Sequence, residues 1–439
     1  MLGVLANRTY RHLFLAQVIA LVGTGLATVA LGLLAYDLAG DRAGAVLGTA
    51  LAIKMIAYVA VAPIAGAFAE VLPRRAMLVS LDLVRAAVAL CLPFVTEIWQ
   101  VYVLIFVLQS ASAAFTPAFQ ATIPDVLPDE RDYTRALSLS RLAYDLESLV
   151  SPMLAAALLT VISFHSLFAG TVVGFLASAA LVVSVVLPRH PAKERRSIYE
   201  RTTRGLRLYL ATPRLRGLLA LCLTVSAAGA MVIVNTVVFV QANLGLSQSD
   251  TALALAAFGC GSMVAALSLP RLLDSVADRP VMLSGAAILI AGLLTTAFVS
   301  NYATLQRVWL LIGLGYSIVQ TPSGRLLRRS AHAEDRPALF AAHFALSHAA
   351  WLITYPLAGW LGATIGLSWT AMVLGILAGL GFIAAVRVWR PSDEADIEHS
   401  HDDLAENDPH LMEGHHRNGH RHSHAFMIDR LHPDWPREH

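Results

Sequence analysis

The chain has 439 residues and a formal net charge of +2, with 56% hydrophobic and only 14% charged residues. Soluble domains carry roughly 25% charged residues, so an ordinary water-soluble fold is excluded, and no nucleic-acid partner is expected. Cys91, Cys222 and Cys260 lie singly in apolar stretches without C-x-x-C spacing, which suits small buried residues and gives no disulfide framework.

Twelve apolar runs, starting near residues 12, 44, 76, 99, 137, 166, 217, 250, 280, 304, 338 and 368, are each long enough as a helix to cross a hydrocarbon core of about 30 Å. The expected fold class is an all-α membrane protein with two six-helix halves. The first run continues to Tyr36 and Asp37 without a small-residue cleavage pattern and reads as a retained helix rather than a signal peptide. Asp37 lies at its outer end, as a mouth residue or a release-side ligand, and His12 near its inner end. Lys54 in the second run needs an acid or water that the sequence does not identify. In the third run Asp82 and Arg85 are three apart, which favours an intrahelical ion pair over a transport role.

The fifth run holds Asp145 and Glu147, and the eleventh holds His343 and His348. Charged groups cost a few kcal/mol at a helix centre, so these four are candidates for the transport path. Residues two apart on a helix point about 200° apart and residues five apart about 140°. Both members of either pair therefore cannot face one cavity squarely. Asp145 has a structural alternative, an i, i+4 pair with Arg141, and either histidine a hydrogen bond in a packed interior.

Between the sixth and seventh runs, "RHPAKERRSIYERTTRGLRLYLATPRLR" holds nine Lys and Arg against two acids. The positive-inside rule places this linker and both termini in the cytoplasm. A shift of 205 superposes Thr116 and Pro117 on Thr321 and Pro322, and Glu130 and Arg131 on Asp335 and Arg336. A shift of 204 lays Glu70 and Arg75 over Asp274 and Arg279. The expected organisation is a half over 1–188, a basic linker over 189–216, a second half over 217–390 and a tail over 391–439. Parallel repeats of this kind mark rocker-type transporters, whose site lies between the halves near the midplane. The repeat sets Asp145 opposite Ala350, so His348 should lie at comparable depth, and a carboxylate from one half with an imidazole from the other would make a shared site where metal competes with protons.

Residues 391–439 hold ten of the sixteen histidines, twelve acids and four arginines, without helical periodicity, and are expected to be disordered. His399, His401, His410, His415, His416, His420, His422 and His424 are the candidate metal ligands, since several imidazoles on a flexible chain can gather round one divalent ion. Imidazole suits nickel, cobalt, zinc and copper(II).

"GAFAEVLPRR" resembles the loop after the second helix of the major facilitator superfamily, with Glu70 for the usual Asp and Pro73 for the usual Gly. That resemblance implies a conformational latch from Gly66, Glu70, Arg74 and Arg75, repeated by Asp274 and Arg279 in the second half. "FTPAFQATIPDVLPDERDYTRALSLS" resembles the branch containing macrolide and siderophore exporters, while "SLVSPMLAAAL" keeps only Pro152 of the antiporter G-P-x-x-G pattern. "NRTYRHLFLAQVIALVGTGLATVALGLLAYDLAG", with the histidine tail, is similar to NreB-type nickel-resistance permeases. The resemblance implies a multi-pass protein of the bacterial inner membrane, working as a monomer, that exports nickel or cobalt. The chain has no G-x-x-x-x-G-K-[ST] loop, so an ion gradient, most simply of protons, would drive it, with no cofactor and no enzymatic chemistry. Export of an amphipathic organic molecule with an incidental tail, and a membrane-bound metal store, are the alternatives.

Overall fold

The computed structural model describes residues 2–39, 43–69, 72–188, 198–391, 397–400, 411, 415–418, 421–424, 426–428, 431, 432, 435 and 436. Glu70, His401, His410 and His420 lie outside these residues. Fourteen α-helices are present among the described residues. Twelve of them make two bundles of six: α1 (Arg8–Ala39), α2 (Ala43–Ala69), α3 (Arg74–Cys91), α4 (Ile98–Val126), α5 (Glu130–Leu159) and α6 (Phe164–Val183) form the first half. After a linker helix, α7 (Ile198–Ala211), come α8 (Pro213–Val237), α9 (Gln248–Leu272), α10 (Asp278–Thr296) and α11 (Tyr302–Gln320). A short helix α12 (Ser323–Arg329) precedes α13 (Arg336–Thr364) and α14 (Leu367–Val388), which complete the second half.

The protein is an all-α membrane protein. Among the described residues ten helices are apolar and long enough to cross a bilayer on that ground alone; α5, the richest in charge, and α11 are not among them. Each helix of the second half begins 203–206 residues after its counterpart in the first. Local signals set many ends. Asp129 accepts a hydrogen bond from the Asp132 amide at 3.0 Å and Asn301 from the Thr304 amide at 3.0 Å, satisfying free N–H groups at the starts of α5 and α11. Ser247 and Asp250 make a reciprocal capping box at α9. Gly366, at φ 80°, makes the tight turn between α13 and α14.

The repeat breaks at one place. Pro117 is inside α4, whereas its counterpart Pro322 sits between α11 and α12. Proline cannot donate the helix hydrogen bond at its position, and here the chain leaves one helix and starts another. That break carries Gly324 and Arg325 against the first half: the Tyr133 hydroxyl donates to the Gly324 carbonyl at 3.2 Å.

The tail contributes strands among the described residues. β1 (Ile397–Ser400), β2 (His415–Asn418) and β3 (Arg421–His424) form an antiparallel sheet in the order β1-β3-β2. Backbone groups that composition alone leaves to water pair with one another here.

Candidate functional site

The two halves meet along α2 with α13 and α5 with α9, leaving a cavity of about 370 Å³ between them. Gln17, Tyr58, Phe119, Arg141, Tyr144, Tyr316, His343, Phe344, His348 and Trp351 are among its walls. The lining is aromatic with a few convergent polar groups, the usual character of a small-molecule pocket.

Each predicted residue has a definite environment. Asp145 is buried and pairs with Arg141, one turn back on α5. Arg141 also donates from Nε to Ser262 Oγ of α9 at 3.2 Å, and its guanidinium lies 4.8 Å from the Tyr316 ring centroid. This ion pair therefore touches the second half without offering an open carboxylate. The expected Asp145–His348 site does not form, because a helix residue one turn away reaches Asp145 before any group from α13.

Glu147 is the carboxylate that Arg141 does not engage. Lys54 of α2 acts electrostatically on both Glu147 and His348, and its ammonium sits 5.5 Å from the Tyr58 ring centroid. Tyr58 donates to Gln109 Oε1 at 3.0 Å and meets the His348 ring edge-on at 4.8 Å. His348 Nδ1 donates to the Phe344 carbonyl at 2.7 Å, which leaves Nε2 of the neutral ring as the acceptor. His343 Nδ1 bonds the Tyr209 hydroxyl of α7 at 3.0 Å, tying the cavity wall to the linker helix. Both histidines line the one cavity despite their five-residue spacing, and each bonds a different partner. No group of three or more His, Cys, Asp and Glu is placed to hold a metal ion among the described residues.

Asp37 is exposed at the end of α1, and His12 Nδ1 bonds Ser184 Oγ at 2.6 Å. Asp82 and Arg85 form the expected pair: Ser178 Oγ donates to Asp82 at 2.8 Å, and the guanidinium lies 4.0 Å and 4.5 Å from the Phe115 and Phe175 ring centroids. That arrangement is a buried structural pair inside one half.

At the face that carries α1's start and α14's end, the halves are locked together. Arg74 pairs with Asp125, and Arg336 of α13 reaches the same carboxylate at 2.8 Å. Glu130 takes Arg325 at 2.8 Å and also Arg329, while Asp278 takes Arg325 at 3.3 Å and Arg329 at 3.1 Å. Asp274 meets Arg131 across the halves at 3.7 Å. Arg279 instead donates from Nε to the Trp389 carbonyl at 2.7 Å, fastening the end of α14 within its own half. A Cβ on Gly66 would come 2.7 Å from Ala341 Cβ, so glycine permits the approach of α2 to α13. Arg75 keeps its place at the start of α3.

Asp125, Tyr58, Gln109 and Ser262 were not singled out from the sequence. Asp125 lies in "IPDVLP", a stretch whose pattern marks it; the uncharged residues have no signal beyond their tertiary neighbours. Of the tail histidines, His399, His415, His416, His422 and His424 lie on the strands, with His399 paired in register opposite His422.

The profile of the Major Facilitator Superfamily matches residues 13–236 and 219–406. The chain is 25% identical over 401 residues to the uncharacterized MFS-type transporter YvqJ of Bacillus subtilis (strain 168), covering 86% of this chain and 92% of that protein. It is 26% identical over 149 residues to macrolide efflux protein A of Streptococcus pyogenes, covering 33% and 36% of the two chains. Among solved structures, the human organic anion transporter MFSD10 (TETRAN) superposes with a TM-score of 0.76 at 13% identity, over 86% of this chain and 99% of that one. A bacterial homologue of the iron transporter ferroportin, in its outward-facing state, gives 0.72 at 15% identity, over 86% and 98%. Two matched halves, an inter-half cavity and the duplicated helix plan agree with these likenesses: this chain belongs to the Major Facilitator Superfamily of membrane transporters.

Proposed function

We propose that this transporter exports divalent nickel, with cobalt as the alternative ion, from the bacterial cytoplasm and so confers metal resistance. Both termini then lie in the cytoplasm of a bacterial inner membrane, and the closed, arginine-rich face is the cytoplasmic one. The observation that carries the reading is the tail, with ten of sixteen histidines in its 49 residues on the donor side of an exporter. The cavity-lining His348 supports it as a place where ion and proton compete, since its Nδ1 is taken by the Phe344 carbonyl and Nε2 is left as the acceptor. Exporting a divalent cation against a negative-inside potential costs about 4.6 kcal/mol per 100 mV, at roughly 2.3 per charge, so two or more returning protons are expected per ion. Nickel flux into inverted vesicles with an imposed pH gradient tests this; flux indifferent to the gradient removes proton coupling, and absence of nickel flux removes the substrate.

A second reading has its own support. An aromatic-walled cavity of about 370 Å³ is within the range of about 300–1,000 Å³ that suits small organic ligands, and macrolide efflux proteins are among the relatives. On that reading the substrate is an amphipathic organic molecule. Growth of cells with and without the protein on nickel, cobalt, zinc and a macrolide separates the two, since protection against metals alone supports the first and against the macrolide alone the second.

A further inference from the structure

The linker helix α7 reaches the wall of the cavity. Gly205, Leu208 and Tyr209, with Thr212 just past its end, are buried, while Leu206, Arg207, Leu210 and Ala211 are exposed, so an i, i+3, i+4, i+7 spacing turns one stripe inward. Three contacts lay that stripe along α13. Arg204 grips Asp335 through two nitrogens, Nε to Oδ1 at 2.5 Å and Nη2 to Oδ2 at 2.6 Å. A Cβ on Gly205 would overlap the Ala338 carbonyl, so only glycine lets the two helices approach this closely. One turn on, the Tyr209 hydroxyl meets His343 Nδ1 at 3.0 Å, and the two rings stack at 5.8 Å between centroids with 17° between their planes.

Tyr209 is fully buried, and a buried phenol needs a partner for its O–H. His343 is the hydrogen-bond partner of that hydroxyl among the described residues, so the O–H donates to Nδ1. In a neutral imidazole one nitrogen accepts and the other carries the proton, and the bond made at one sets the state of the other. His343 thus has its proton on Nε2. His348 is the reverse, since its Nδ1 donates to the Phe344 carbonyl and its Nε2 accepts. Both histidines line the cavity, which therefore holds an N–H donor and, further along α13, an acceptor nitrogen.

We propose that Tyr209 is a positioning residue of the cavity, acting through His343: it sets the imidazole tautomer so that Nε2–H is what His343 offers to an occupant. The cavity then suits a molecule with an oxygen acceptor for His343 and a hydroxyl or N–H donor for His348. A metal ion needs an unprotonated nitrogen, so ligation falls to His348 and not to His343. Tyr209 has this role in the resting protein under either reading of the substrate, and through it the linker helix becomes part of the site.

The test reads nitrogen protonation by solid-state NMR of the full-length transporter, carrying isotope-labelled histidine in lipid vesicles at alkaline pH, where ordinary imidazoles are neutral. His343→Gln identifies the His343 signals. The expected wild-type spectrum has His343 protonated on Nε2 and bare on Nδ1, and Tyr209→Phe gives a mixture of both tautomers. A wild-type His343 protonated on Nδ1 overturns the proposal with no variant needed, and a single unchanged tautomer in Tyr209→Phe removes Tyr209 from its control. Transport of erythromycin and of nickel chloride supplies the second arm. For erythromycin, Tyr209→Phe should raise KM about fivefold and change nothing further in a His343→Ala background; an equal rise in that background makes Tyr209 merely structural and overturns the positioning role. For nickel, transport should fall in His348→Ala and hold in His343→Ala, and the opposite order overturns the assignment of the ligand nitrogen. If neither probe is carried, both substrate readings fall and the NMR outcome still decides the role of Tyr209.

Discussion

Asp145 and Glu147 are two residues apart and serve different ends. Asp145 is held by Arg141, so Asp145→Asn strands a largely buried guanidinium, and breaking such a pair costs about 3–5 kcal/mol. A lower unfolding temperature of the purified protein is expected, with much of the loss restored in Arg141→Gln/Asp145→Asn. Glu147→Gln removes a carboxylate near Lys54 without breaking that pair. It should lower gradient-driven transport by about tenfold or more, a typical lower range for losing a positioned proton-transfer group, while the folded yield stays unchanged; transport at the wild-type rate would exclude Glu147 from coupling. Helix spacing in the sequence says that the two acids cannot both face the cavity squarely. It does not say which, because the deciding groups are Arg141 one turn away and Lys54 on another helix.

At the scale of elements, the starts of the twelve spans are legible to within a few residues, except that α5 begins at Glu130 rather than near 137. Its first two turns lie outside the apolar run, capped by Asp129 and held by polar contacts, so hydropathy does not see them. The linker helix α7 is missed for a related reason: counting nine basic residues treats a basic helix and a basic loop alike. Close contacts between elements are legible only as glycines without a stated partner. Gly66 is one, and Gly66→Val places bulk where Ala341 Cβ already stands 2.7 Å from the added Cβ position. The expected outcome is a folded protein whose α2 and α13 separate at the closed face, seen as faster thiol labelling of a Ser323→Cys reporter and slower transport.

For the whole molecule, the ion pairs of the closed face are unequal. Arg131 and Asp274 are 72% and 41% exposed at the side chain, and such pairs contribute about 0–1 kcal/mol. Asp125 is only 3% exposed and takes two arginines, one from each half. Asp125→Asn should therefore open the face, with faster Ser323→Cys labelling and transport reduced several-fold, whereas Arg131→Gln should stay within about twofold of wild type; equal effects of the two would refute this ranking. The overall duplication is visible in sequence because repeats of about 205 residues preserve turns and acids. The closure is less visible, since it pairs residues from both repeats that no single repeat contains.

The way these acids share their arginines also bears on how the face comes apart. When the halves separate, Asp125 loses Arg336 but keeps Arg74, which belongs to its own half. Arg325 and Arg329 lose Glu130 but keep Asp278, again on their own side. Glu130 gives up both arginines, yet it is 38% exposed, and water is at hand to replace them. Each half thus carries spare counter-charges for most of what it releases, so parting exchanges partners instead of baring ions. A lock built this way holds firmly while shut and still opens over a low barrier, as a cycle repeated at every turnover requires.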